Sequence, residues 1–273
     1  MKIALIQQHA TADKAANVAR GLQAVDEAAR QGAALAVFAE LAFEPFYPQH
    51  PAGSDPHRLA EPVPGPITGA FAERARRHGI VVVLNLYERD GAQAYDCSPV
   101  IDADGRLLGR TRMINITEYS CFHEQGYYTP GDTGAPVYET RAGRIGVAIC
   151  YDRHYPEYMR ALAVAGADLV VVPQAGSVGE WPEGLYEAEM RVAAFQNGYY
   201  VALCNRVGRE DCLTFGGESF VCAPDGQVVA RAPAMADSIL YADVDAAENG
   251  RSHARQLFLR HRRPELYAAW VGR

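Results

Sequence analysis

Apolar and polar positions alternate along this chain with two periods, and their order predicts the architecture. Short apolar runs read as strands at 2–8 (KIALIQQ), 34–40 (ALAVFAE), 80–88 (IVVVLNLYE), 144–150 (RIGVAIC), 167–175 (ADLVVVPQA), 199–208 (YYVALCNRVG) and 237–245 (DSILYADVD). Between them lie stretches with helical spacing. From about Asp13 to Gln31, residues Ala15, Val18, Leu22, Val25 and Ala29 recur three and four apart, and helices are also expected over 67–78, 156–166 and 185–197. Asp104-Gly105 and Asp225-Gly226 are turn dipeptides inside strand-like segments, so each predicts a hairpin. Val- and Ile-rich strands interleaved with helices imply an α/β fold whose sheets are covered by helices. There is no Ser/Gly/Pro-rich linker and no internal repeat, so one domain is expected over 1–273. Its arginine- and aromatic-rich tail, from about 246, is expected to pack on the body or on a neighbouring subunit.

Composition narrows the function classes. The net charge of −7 argues against nucleic acid and anionic membrane as partners, and no apolar run approaches the ~20 residues of a membrane span. The N-terminal MKIALIQQ lacks a signal peptide's apolar region and is read as a first strand. Six cysteines occur with no CxxC pair, which disfavours a zinc site and suggests a reduced, cytoplasmic setting. Lysine is nearly absent: of 26 basic residues only Lys2 and Lys14 are lysines, which leaves 26 − 2 = 24 arginines.

Three residues stand out by position. Glu40 ends an apolar strand and precedes a loop with Phe43, Phe46 and Tyr47; partial desolvation there raises a carboxyl's pKa and suits it to general-base work. Cys150 ends GVAIC just before a helix, where N-terminal amides could support a thiolate and an oxyanion. Glu124 lies in the aromatic loop CFHEQGYYTPGD. A thiol with carboxylates at other strand ends suits acyl transfer. His123 and His154 are read as packing residues rather than as the thiol's partner.

With these residues placed, the chain resembles the nitrilase superfamily of carbon–nitrogen hydrolases. The motifs are VFAELAFEPFYPQ, FHEQGYYTPGD, GRIGVAICYDRHYPE, GADLVVVPQAG and CNRVGRE, and they span nearly the whole length. The resemblance implies a four-layer α-β-β-α sandwich, assembly into homodimers or larger oligomers, and no metal or organic cofactor. It implies a glutamate base at Glu40, a cysteine nucleophile at Cys150 and a second glutamate at Glu124. ICYDRHYPE and CNRVGRE are closest to the superfamily's N-carbamoyl amidohydrolases, such as β-ureidopropionase and N-carbamoyl-D-amino acid hydrolase. That implies a small amide or N-carbamoyl substrate, with Arg153 against a substrate carboxylate and Tyr47, Tyr151 and Asn115 in the substrate pocket.

The family's catalytic lysine has no counterpart. Its motif falls on Arg112-Met113-Ile114-Asn115, with Met113 in the lysine's place and Asn115 in the histidine's; Glu124 follows Met113 by eleven residues, as in carbamoyl-hydrolysing members. Strand alternation turns Met113 and Asn115 to one face and Arg112 to the other. A one-residue shift would instead bring Arg112 inward. Two main readings follow: a thiol amidohydrolase weakened at Met113, or an impaired homologue that binds a small metabolite or a protein partner. Nitrile hydrolysis is a third.

Overall fold

The computed structural model describes residues 1–271, so the last two residues of the expected tail lie outside it. The elements run β1 (Lys2–Gln7), α1 (Lys14–Arg30), β2 (Leu35–Phe38), α2 (Pro66–His78), β3 (Val81–Val83), β4 (Leu86–Asp90), β5 (Gln93–Ile101), β6 (Leu107–Arg112), β7 (Glu118–Tyr119) and β8 (Phe122–His123). They continue through β9 (Val137–Thr140), β10 (Gly143–Val147), α3 (Pro156–Val164), β11 (Leu169–Gln174), α4 (Leu185–Asn197), β12 (Tyr200–Asn205), β13 (Val207–Arg209), β14 (Thr214–Gly216), β15 (Phe220–Cys222), β16 (Val228–Arg231) and β17 (Ser238–Asp243). The tail forms α5 (Ala246–Arg251) and α6 (Pro264–Val271).

Two sheets face each other. One has the order β17-β1-β2-β3-β5-β4, with β6 paired to β5; the other has the order β16-β15-β12-β11-β10-β9. Strand alternation sorts side chains into layers. Ile3, Leu5, Leu35, Val37, Val81 and Val83 meet Ile145, Val147, Leu169 and Val171 between the sheets. The alternate residues Ala4, Ile6, Ala36, Phe38 and Val82 pack under Val25, Ala28, Phe71 and Ala75 of α1 and α2. On the second sheet Val170, Val172, Val201 and Leu203 pack under Tyr158, Leu162, Met190 and Ala194 of α3 and α4. This is the expected α-β-β-α sandwich. Each fully buried Val, Leu or Ile stabilises it by roughly 1.5–3 kcal/mol, which explains why these strands read as unbroken apolar runs.

Helix ends follow their caps. The Asp13 side chain accepts from Ala16 N and starts α1. Gly79, at φ 66°, ends α2. One expectation needs correction. The single strand read over 80–88 is two, β3 and β4, because the chain breaks at Leu84 and Asn85. There Asn85 turns inward, accepting from Leu41 N at 2.8 Å and donating to Asp96 and Ser98. The tail is tied back to the body: Asn249 Nδ2 donates to Asp168 O, and Arg255 donates to the carbonyls of Gly198 and Ala167. Among the described residues no helix is long and apolar enough to cross a membrane.

Candidate active site

The candidate residues converge at the carboxyl ends of the parallel strands, the usual place for a site in such sheets. Glu40 follows β2 by two residues and is fully buried. Its loop is held by Arg206 at the end of β12, which donates to the carbonyls of Glu40 (2.9 Å), Leu41 and Glu44 (3.0 Å) and pairs with Glu210. Cys150 opens a short 3-10 turn, Cys150–His154, after β10. Both Leu41 (φ 43°) and Cys150 (φ 38°) sit in the left-handed region, a strain that functional sites hold in place by surrounding contacts. At Cys150 this turns the sulfur out of the strand line, and the backbone amide of Ala175 at the end of β11 points to it. Glu124 begins a 3-10 turn after β8 and accepts from Thr117 N at 3.2 Å.

The chain between β6 and β7 settles the register. Arg112 faces away from Cys150. It donates to Glu88 (2.8 and 2.9 Å), Asp90 (2.6 Å) and Asp132 (3.0 Å) and stacks on Tyr95 at 3.8 Å. Met113 is completely buried in the same apolar cluster as Cys150, Phe122 and Tyr128. A one-residue shift that would bring Arg112 inward is therefore excluded. Asn115 turns to the Asp152 carboxylate, donating to it from both its backbone N and its side chain. Both lysines are occupied elsewhere: Lys2 donates to Gln31 O, and Lys14 pairs with Glu44 and Glu61.

The result is a site crowded with acids. Burial, and then the nearby Asp96 and Glu124, push the Glu40 carboxyl well above its ordinary range. Glu124 is raised mainly by burial and then by Asp96, Glu180 and Asp152. Burial raises Asp96 to about 7 and Asp152 to about 6. The Cys150 thiol is also raised, first by burial and then by Glu40 and Glu124. The physical reason expected for Cys150 reactivity is thus corrected. Acids surround the sulfur and α3 begins only at Pro156, so burial and the neighbouring carboxyls favour the thiol over the thiolate. Neither Glu40 oxygen has a partner in hydrogen-bond geometry, although Cys150 and Asp96 both lie within interaction range.

The expected substrate-binding residues are placed as follows. Arg153 is buried and paired with Glu189 of α4, bonded to Gln174 at 2.9 Å and stacked on Tyr186 at 4.6 Å. The Tyr47 hydroxyl donates to Glu44 at 2.6 Å. Tyr151 stacks against His154 at 4.9 Å. His154 pairs with Glu189, and His123 pairs with Glu118. Two acids of the site, Asp96 and Glu180, were missed in the sequence. Asp96 is a buried acid within an apolar strand, and that incongruity was its only signal. Glu180 accepts from Tyr119, Tyr186 and Ser177 N beside the thiol. A cleft of about 540 Å³ lined by Gln174, Ser177, Trp181, Tyr186 and Asn205 lies next to this group but is not walled by Cys150. Among the described residues no group of three or more His, Cys, Asp or Glu is arranged to hold a metal ion.

A family model described as "Carbon-nitrogen hydrolase" matches residues 2–253. An N-carbamoylputrescine amidase from Solanum lycopersicum is 32% identical over 280 residues, covering 97% of this chain and 93% of that one. A citrullinase from Francisella tularensis is 31% identical, covering 98% and 96%. A solved structure of an amidase from Nesterenkonia sp. AN1, showing Michael addition of acrylamide at its active site cysteine, superposes with a TM-score of 0.84 at 26% identity over 99% of each chain.

Proposed function

The chain belongs to the carbon–nitrogen hydrolase family, and from that premise we propose that it is a thiol amidohydrolase cleaving the C–N bond of a linear amide or N-carbamoyl compound. The observation that carries the reading is the presentation of Cys150 on a strained turn within range of the buried, unpartnered Glu40 carboxyl. Glu40 takes the thiol proton as sulfur attacks the carbonyl, then gives it to the departing nitrogen, leaving a thioester on Cys150. Water, losing a proton to Glu40, adds to the thioester; the acid leaves and the thiol is restored. The N-carbamoyl compounds named for the tomato and Francisella relatives support this substrate class. Because Glu189 and Gln174 already occupy Arg153, substrates without a carboxylate should be accepted as readily as N-carbamoyl amino acids.

A second reading, binding without turnover, is favoured by one observation: Met113 places a thioether, which cannot donate a hydrogen bond, in the cluster beside Cys150. One experiment separates them. The protein is incubated with N-carbamoyl amines, N-carbamoyl amino acids and simple amides, and intact mass and released ammonia are followed. A thioester adduct on Cys150 with ammonia or amine release, both lost in Cys150→Ala, is expected. Ligand binding with neither adduct nor release would leave the binding reading. As part of the same proposal the chain forms homodimers or larger assemblies, for which the exposed Val164, Val192 and Phe195 of α3 and α4 offer surface.

A further inference from the structure

We propose that Asp96 is a positioning residue for Glu40: the two carboxyls hold one proton between them, and the Asp96 hydroxyl supplies the hydrogen-bond donor that Met113 cannot. This rests on the reading of Glu40 as the base.

Asp96 is Met113's neighbour across the sheet. Cys97 pairs with Arg112 in the β5–β6 register, and the next bond along is Met113 N to Asp96 O, at 2.9 Å. The carboxyl therefore sits beside the position where the cation is missing. Its orientation is fixed from the other side. Asn85 Oδ1 accepts from Leu41 N at 2.8 Å, so the Asn85 amide must aim its NH₂ at Asp96 Oδ1 and Ser98. With Oδ1 pinned, Asp96 Oδ2 is left without a partner, as are both oxygens of Glu40, and the two side chains are within hydrogen-bonding reach. Three unsatisfied, fully buried carboxyl oxygens facing one another call for a donor.

The surroundings offer no countercharge. The groups facing the pair are Glu124, Asp152, the Cys150 thiol and the Tyr128 hydroxyl. Arg206, the cation on the Glu40 loop, bonds backbone carbonyls and Glu210, and Arg112 is on the far face with Glu88, Asp90 and Asp132. Two like charges in one buried site do not ionise together, so a shared proton takes the place of the cation. At rest the Asn85 amide on Asp96 Oδ1 favours Asp96 as the acceptor and the proton on Glu40; its transfer within the pair to Asp96 makes Glu40 the carboxylate that reacts. Glu40 then accepts the Cys150 proton and returns it to the leaving nitrogen, while the Asp96 O–H bond stays intact throughout.

The test counts protons by infrared spectroscopy of the full-length protein at pH 7, using the C=O stretch of protonated carboxyl groups. Asp96→Asn keeps the Asn85 bond and presents an amide N–H to Glu40. It should remove the signal of one carboxylic acid, because Glu40 is then free to ionise. Glu40→Gln should remove the same single signal, and the double variant should remove no more. Met113→Lys, which leaves both acids in place, should also lose it. If Asp96→Asn or Met113→Lys retains the full signal, the proton is not shared and the proposal fails. With a turned-over amide, wild-type kcat should fall about tenfold per pH unit above the step where the pair loses its last proton, and Asp96→Asn should lack that fall. Profiles that superimpose after scaling would make Asp96 merely structural. The spectrum needs no turnover, so an inactive wild type sinks the hydrolase reading without touching the count of protons.

Discussion

Arg112 and Met113 are consecutive residues at the end of one strand, and each serves a cluster of acids. On the Arg112 face stand Glu88, Asp90 and Asp132; on the Met113 face stand Glu40, Asp96 and Glu124. In the first cluster the guanidinium holds Asp90 below the usual carboxylate range, and its acids in turn raise Arg112 further. In the second, every acid is pushed upward. Glu88 is as buried as Glu40, yet it has ion-pair partners and Glu40 has none. What differs is the presence of cations, Arg112 and beside it Arg110. The lesson is that a buried carboxyl's charge state is set by its partner, and that on the Met113 face the partner has to be a proton.

The largest expected effect comes from making the first cluster resemble the second. Arg112→Met would leave Glu88 buried with only the Arg110 contact at 3.0 Å. Removing one partner of a buried ion pair typically costs about 3–5 kcal/mol, and urea denaturation should read a loss in that range. A loss under about 1 kcal/mol would mean that the cation does little on that face, and the comparison collapses.

The reverse change makes the second cluster resemble the first. Met113→Lys puts an ammonium of similar length among acids that would keep it charged. Thiolate and oxyanion both gain a donor, and amide hydrolysis should rise about 10²-fold, or about 2.7 kcal/mol in barrier. The rate of Cys150 alkylation by iodoacetamide at neutral pH should rise as well. If both stay at the wild-type level, the absent cation is not what limits the site.

Much of this contrast was legible in the sequence because it is a matter of period. Alternation across 112 and 113 decides which side chain faces Cys150 without knowledge of the rest of the fold, and the apolar runs give the strands. What escaped depends on contacts set by topology. Asp96 meets Glu40 because β5 lies beyond β3 from β2, an order that no local pattern encodes. Arg153 is expected against a substrate carboxylate, but its partner is Glu189 on α4, 36 residues on. The break at Asn85 was hidden by an unbroken β-branched run, and it shows only as an amide needed by Leu41, Asp96 and Ser98. Helix amides were expected at Cys150 because a helix follows it, yet a short turn intervenes, and burial and then Glu40 and Glu124 raise the thiol instead.

The smallest expected effect sharpens the comparison through stability. Asp96 titrates at about 7 in the folded protein against an ordinary 3.8. A folded-state pKa raised in this way contributes stability that is complete below the unfolded value and lost as pH rises through the folded one. Wild type should therefore be penalised progressively between about pH 4 and 7, whereas an asparagine at the same position does not titrate. A tenfold difference in proton affinity between the folded and unfolded chain corresponds to about 1.4 kcal/mol, and the proton is shared with Glu40, so Asp96→Asn should gain about 2 kcal/mol on wild type between pH 5 and pH 8. Paired urea titrations at the two pH values check this. A stability difference between Asp96→Asn and wild type that is flat from pH 5 to pH 8 would mean that Asp96 is already ionised at pH 5, and the two faces of the strand would then differ in geometry but not in charge.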